Sequence, residues 1–136
     1  MSIKRLLAAL LATAAFAGTA YAQAPEATVK PNFAQAIPNL PGKSLVAVEV
    51  SYPPGGASTP HHHARSAFIY AYVVSGEIQS QVDDGPMRTY RAGESFYEAP
   101  GAHHRVSGNA SKTQPAKLLA VFVVDTGEQP LTTPDK

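Results

Sequence analysis

Between residues 43 and 124 the apolar side chains come in short runs of valine, isoleucine, tyrosine and phenylalanine, each cut off by glycine, proline or a polar cluster. Branched and aromatic side chains pack well on a pleated surface and lose rotamer freedom on a helix, so such runs are predicted as strands. They cover residues 44–52, 61–65, 68–74, 77–82, 87–90, 95–98, 104–107 and 117–124. The links carry turn chemistry of their own: Asp83-Asp84-Gly85-Pro86 reads as a hairpin loop, Arg91-Ala92-Gly93 as a tight reversal, and Gly108-Asn109 as a further turn. No helical period persists, so the chain is expected to be all-β, a sandwich or barrel. The last run, Leu118-Leu119-Ala120-Val121-Phe122-Val123-Val124, is apolar on both faces and belongs at the centre of a sheet or in a subunit interface.

The two ends have a different texture. Residues 1–22 open with Lys4-Arg5, continue through an alanine-rich apolar stretch and finish in Ala20-Tyr21-Ala22, the pattern of a cleaved secretory signal peptide. The apolar stretch is shorter than the roughly 20 residues that a spanning helix needs, so no membrane association is expected after cleavage. Export places the protein in the periplasm or outside the cell. Residues 23–42 carry Pro25, Pro31, Pro38 and Pro41 and read as an irregular arm or a loosely packed lead-in strand, and residues 126–136 read as an irregular tail. One barrel over residues 43–125 remains. The sequence has no cysteine, which excludes disulfides, thiolate ligands and a cysteine nucleophile. Lys and Arg together number 11 against 10 Asp and Glu, and a chain this close to neutral is not built for nucleic acid.

All 5 histidines fall in two groups, His61-His62-His63 and His103-His104. Side chains alternate along a strand, so His61 and His63 share one face and His62 takes the other. Each group follows a turn, Pro53-Pro54-Gly55-Gly56 before the first and Pro100-Gly101 before the second.

These residues resemble the two motifs of the cupin family. The first motif has a glycine, five residues, His-x-His, a glutamate and a closing glycine; here Gly55, His61, His63 and Gly76 hold those places. The second has a glycine, five residues, Pro-x-Gly, two residues and a histidine, followed by an asparagine. Gly93, Gly101 and His104 match it, with Ala99 at the proline position and Asn109 one residue late. The resemblance implies a double-stranded β-helix, or jelly-roll barrel, and a metal held by His61, His63 and His104. It also implies a homodimer, since domains of this type pair through edge strands.

One departure bears on function. Counted back from Gly76, the motif glutamate falls at or near Ile69, and residues 67–72 contain no carboxylate. Three neutral imidazoles still suit a divalent ion, Fe(II) first and otherwise Zn, Mn, Ni or Cu. Three-histidine centres of this kind occur in cupin dioxygenases. Glu98 is a candidate general base or replacement carboxylate if its strand parity faces the barrel, and an ordinary surface glutamate if it does not. Tyr70 and Tyr72 share a strand face and are candidates to line a substrate pocket, Tyr70 as a catalytic group. Gln79 and Gln81 share another face and either bind substrate or meet solvent. His62 and His103 are set aside as supporting or surface residues.

Other chemistries find no support. Gly93-Glu94-Ser95 lacks the closing glycine of a nucleophile elbow, Asp83-Asp84 lacks the spaced oxygens of a calcium loop, and no phosphate-binding glycine loop is present. Two expectations stand: a metal-dependent enzyme of dioxygenase-like type acting on a small molecule, and a non-catalytic cupin that binds a small molecule or a metal.

Overall fold

The computed structural model describes residues 22–136, so all but the last residue of the expected leader lies outside the described residues. Among the described residues ten strands follow one another without a helix: β1 (Thr28–Ala36), β2 (Lys43–Tyr52), β3 (His61–His63), β4 (Phe68–Ser75), β5 (Glu77–Val82), β6 (Arg88–Arg91), β7 (Ser95–Glu98), β8 (His103–Asn109), β9 (Ala116–Asp125) and β10 (Thr132–Pro134). They form two five-stranded antiparallel sheets, ordered β1-β2-β9-β4-β7 and β10-β3-β8-β5-β6. Strand order does not follow chain order in either sheet. The chain passes back and forth between the sheets, as a jelly-roll barrel requires.

Strand β9 lies between β2 and β4, which explains its two apolar faces. Its residues Ala116, Leu118, Ala120, Phe122 and Val124 point inward and are buried. Around them pack Val50, Tyr52, Ala71 and Val73 from the same sheet and Ile78 from the other, with a second cluster of Ala64, Ala67, Ile69 and Phe122 nearer the histidines. The first sheet therefore supplies most of the apolar interior. The facing interior of the second sheet carries His61, His63, Ser80, His104 and Ser107, which makes it the polar wall of the barrel.

Gly76 lets the chain turn from β4 into β5 with φ of +74°, and a Cβ there would stand 2.6 Å from the carbonyl oxygen of Pro115. Neither the conformation nor the space admits another residue. Gly108 serves differently from the turn predicted for Gly108-Asn109: both residues lie within β8, and Gly108 lets the loop at Gly56 and Ala57 lie directly against the strand.

Both end segments carry strands, the first as one of its two readings allowed and the second against expectation. Much of the lead-in stretch is a regular nine-residue strand, β1, hydrogen-bonded along the free edge of β2. Pro31 sits at an edge strand beside a register shift between Pro31 and Phe33, where a missing N–H costs little. The tail contains β10, a three-residue strand that pairs with β3 through Thr132 opposite His63, Thr133 opposite His62 and Pro134 opposite His61. The predicted strand 61–65 stops at His63, because Ala64 turns away and closes a tight loop with Ala67.

Candidate metal centre

Strands β3 and β8 are antiparallel neighbours with His61 opposite His104 and His62 opposite His103. Strand parity then separates the five histidines. His61, His63 and His104 face the barrel interior, and His62 and His103 face outward. The inner three form one group whose candidate ligand nitrogens all lie within 4.8 Å of one another. His63 and His104 are buried, and His61 is partly open.

A carboxylate joins them from β7, a strand outside the first motif. In the β4–β7 ladder Ile69 stands directly opposite Glu98, and both point inward, Ile69 0% and Glu98 3% exposed. Oε1 of Glu98 lies 3.1 Å from Nε2 of His63 and 3.1 Å from Nδ1 of His104. Of the two alternatives left open for Glu98, the buried one holds. Burial by itself would raise its pKa, but the imidazoles of His63, His104 and His61 outweigh that and hold the carboxyl below its ordinary value.

These close approaches do not have the alignment of hydrogen bonds. Nδ1 and Nε2 of His63 and Oε1 of Glu98 are all buried without a hydrogen-bond partner. Buried polar atoms without partners are costly, and a group of them pointed at one another is the arrangement of donors that a cation would satisfy. The residues present thus fit a divalent metal ion, with three imidazoles and one carboxylate in the donor set.

Two contacts orient the imidazoles. Nδ1 of His61 donates to the carbonyl oxygen of Thr59 at 2.8 Å, which leaves Nε2 as its free lone pair. Nε2 of His104 lies 2.9 Å from the Ser80 hydroxyl, which turns Nδ1 toward Glu98. Such partners fix tautomer and ring direction. Burial pushes the His104 pKa down to about 4 against the opposing pull of Glu98, and burial likewise lowers His61 against its bond to Thr59. Both rings are neutral near pH 7 and ready to act as ligands.

The centre opens into a cavity of about 290 Å³. Its other walls are mostly apolar, with Val48, Val50, Leu118 and Phe122 among them, and among the described residues no lysine or arginine lines it. Polar side chains also line it, among them Glu26, Thr59 and Thr132, and the Tyr52 hydroxyl lies 2.7 Å from Ser107 Oγ and 3.3 Å from Ser58 Oγ. Burial raises the Tyr52 pKa despite those hydroxyls, so the phenol keeps its proton.

Tyr70 and Tyr72 are not part of the cavity. The inward parity of β4 belongs to Ile69, Ala71 and Val73, which places Tyr70 on the outer face, 44% exposed. Gln79 and Gln81 also take the outward parity of β5, and Ser80 between them faces His104. Sequence reasoning passed over Ser80, Ser107 and Tyr52. Alternation from Ile78 marks Ser80 as inward-facing, whereas the meeting of Tyr52 with Ser107 had no local signal.

Comparison with known proteins agrees with this architecture. A family model described as a Cupin domain matches residues 48–122. No curated protein sequence is significantly similar to the chain. Among solved structures, an uncharacterized conserved protein with a double-stranded beta-helix domain from Klebsiella pneumoniae superposes with a TM-score of 0.63 at 17% identity, covering 82% of this chain and 85% of that one. A recombinant oxalate oxidase in complex with glycolate gives 0.57 at 25% identity over 72% of this chain and 51% of its own. The DMSP lyase DddQ from Ruegeria pomeroyi gives 0.54 at 24% identity over 68% of this chain and 45% of its own. The chain therefore spans about half the length of those two enzymes.

Proposed function

The chain belongs to the cupin family, and we propose that it is an exported metalloenzyme of dioxygenase-like type that holds Fe(II) through His61, His63, His104 and Glu98. The observation that carries this reading is the buried, partnerless Oε1 of Glu98, 3.1 Å from both His63 and His104 at the floor of an apolar cavity. The oxalate oxidase it resembles in fold is by its printed name an enzyme of a small carboxylate, which supports a small-molecule reading of the barrel. The homodimer anticipated from the sequence is part of the proposal.

An iron(II) ion held by His61, His63, His104 and Glu98 would supply one-electron and Lewis-acid chemistry. The protein's own groups do the rest. Glu98 brings one negative charge to the donor set and the neutral imidazoles bring none, so a divalent ion held there would keep a net positive charge suited to a single anionic oxygen. The apolar walls desolvate the substrate and strengthen these interactions. Tyr52 offers its hydroxyl proton to a substrate carbonyl or hydroxyl, with Ser107 and Ser58 steadying the phenol. With no lysine or arginine in the lining, nothing compensates a second charge, so a mostly apolar molecule with one acidic or chelating oxygen fits better than a dianion.

The test is elemental analysis of the tag-free mature protein expressed with iron, beside His63→Ala and Glu98→Gln. The proposal expects each variant to hold one equivalent of metal less than the parent. Oxygen uptake is then measured with diketones, phenolics and thiols. Equal metal in parent and variants sinks the proposed centre; metal without oxygen uptake leaves a binding protein in place of the enzyme.

A further inference from the structure

On the opposite side of the same two strands, the outward-facing histidines meet a residue from the C-terminus. His62 and His103 are directly opposed in the β3–β8 ladder, and residues so paired have Cβ atoms about 5 Å apart, a spacing from which two imidazoles can reach one ion. Asp135, one residue past β10, lies across both. Its Oδ1 is 3.3 Å from Nδ1 of His62, and its Oδ2 is 2.8 Å from Nε2 of His103. The candidate ligand atoms of the three residues all lie within 4.8 Å of one another.

We infer that His62, His103 and Asp135 form a second metal site on the outer face of the barrel, which takes a divalent ion that favours imidazole and carboxylate, such as Zn(II), and fastens the C-terminal strand. Zinc ligand bonds of about 2.0–2.2 Å put neighbouring donors of a tetrahedral site roughly 3.4 Å apart, close to the separations already present. The rings of His62 and His103 are stacked, with centroids 4.0 Å apart and an angle of 6° between planes. Their in-plane lone pairs therefore cannot meet at one point until a ring turns. The His62 side chain is 55% exposed and has room to do so.

The position of Asp135 gives the site a structural consequence. Strand β10 is short, lies at the edge of its sheet and is wholly exposed, held by its pairing with β3 and by the bond from the Asp135 N–H to the Pro60 carbonyl oxygen. Leu131, Thr132 and Pro134, in and beside β10, line the interior cavity. An ion shared by β3, β8 and Asp135 ties this cavity wall to the two strands that carry the inner histidines.

Zn(II) alone is the probe, titrated by calorimetry into the metal-stripped mature protein, its His62→Gln/His103→Gln variant, Asp135→Asn and His63→Ala. The parent is expected to take two equivalents, the double variant and His63→Ala one each, and Asp135→Asn to bind its second equivalent at least tenfold more weakly. In the parent, Zn(II) should also slow carboxypeptidase trimming of the C-terminus, and in the double variant it should not. Equal stoichiometry in the parent and the double variant overturns the outer site. Loss confined to His63→Ala supports only the inner one, so the two readings fail separately. Should the double variant not fold, as judged by circular dichroism, unchanged Zn(II) binding by Asp135→Asn overturns the inference by itself.

Discussion

Glu98 stands directly across the β4–β7 ladder from Ile69, on the same inward face and at the place where the first cupin motif would put its glutamate. Opposed residues of an antiparallel pair have Cβ atoms about 5 Å apart, so a carboxylate can be supplied from either strand to nearly the same point. The departure seen in the motif is thus a change of strand, with the buried carboxylate supplied from β7 in place of β4.

Exchanging the two residues tests that equivalence. Glu98→Ile should lose metal affinity by more than the roughly 10- to 100-fold typical of removing a partner outside the donor set. Adding Ile69→Glu should restore much of it. Calorimetric titration with Mn(II) or Fe(II) measures both, and no recovery in the double variant would mean that the two positions are not interchangeable.

Ser80 acts through His104, whose Nε2 it holds at 2.9 Å. Ser80→Ala should weaken binding at the inner centre by about 10- to 100-fold while leaving the fold intact. Ser80→Thr, which keeps the hydroxyl, should recover part of the loss. A purely structural role would instead lower Tm and leave the affinity of the folded protein unchanged.

Acid should destabilise the metal-free protein in a defined window. His104 has its folded pKa pushed down to about 4 from an ordinary 6.5. Below pH 6.5 the unfolded chain takes up a proton that the folded protein refuses, so stability falls as pH drops toward 4 and levels off below it. The span corresponds to on the order of 3 kcal/mol. The depressed Glu98 carboxyl acts in the same direction at the acid end. Urea unfolding of stripped protein between pH 7 and pH 4 reads this, and His104→Phe should flatten the curve.

Gly76→Ala should cost more than about 1 kcal/mol in urea unfolding, because it combines a positive φ with a Cβ 2.6 Å from the Pro115 carbonyl oxygen. Tyr70→Phe, by contrast, should leave both metal binding and turnover within about twofold, since a substitution on an exposed outer face touches neither the cavity nor the core.

Parity was readable where apolar and polar residues alternate along a strand. The separation of His61 and His63 from His62 needed only the alternation of an extended chain, and the alternation in β5 marks Ser80 as inward-facing once Ile78 is taken as core. The parity of β4 was harder. With apolar or aromatic residues at every position of Phe68-Ile69-Tyr70-Ala71-Tyr72, hydropathy does not say which face is inside, and Tyr70 was placed on the wrong one. Strand β1 stayed open between an arm and a lead-in strand because Pro31 is tolerated only at a sheet edge, and edges are defined only when the whole sheet is assembled.

By itself, the sequence determined the class of fold and the three inner imidazoles, since local propensity, turn chemistry and a two-residue period are properties of neighbouring residues. Tertiary structure alone decided that Glu98 completes the centre opposite Ile69, that Tyr52 meets Ser107, and that Asp135 reaches His62 and His103. Each of these pairs residues far apart in the chain. Their contact depends on strand order and register, which are set by burying the interior of both sheets at once, and no short stretch of sequence encodes that.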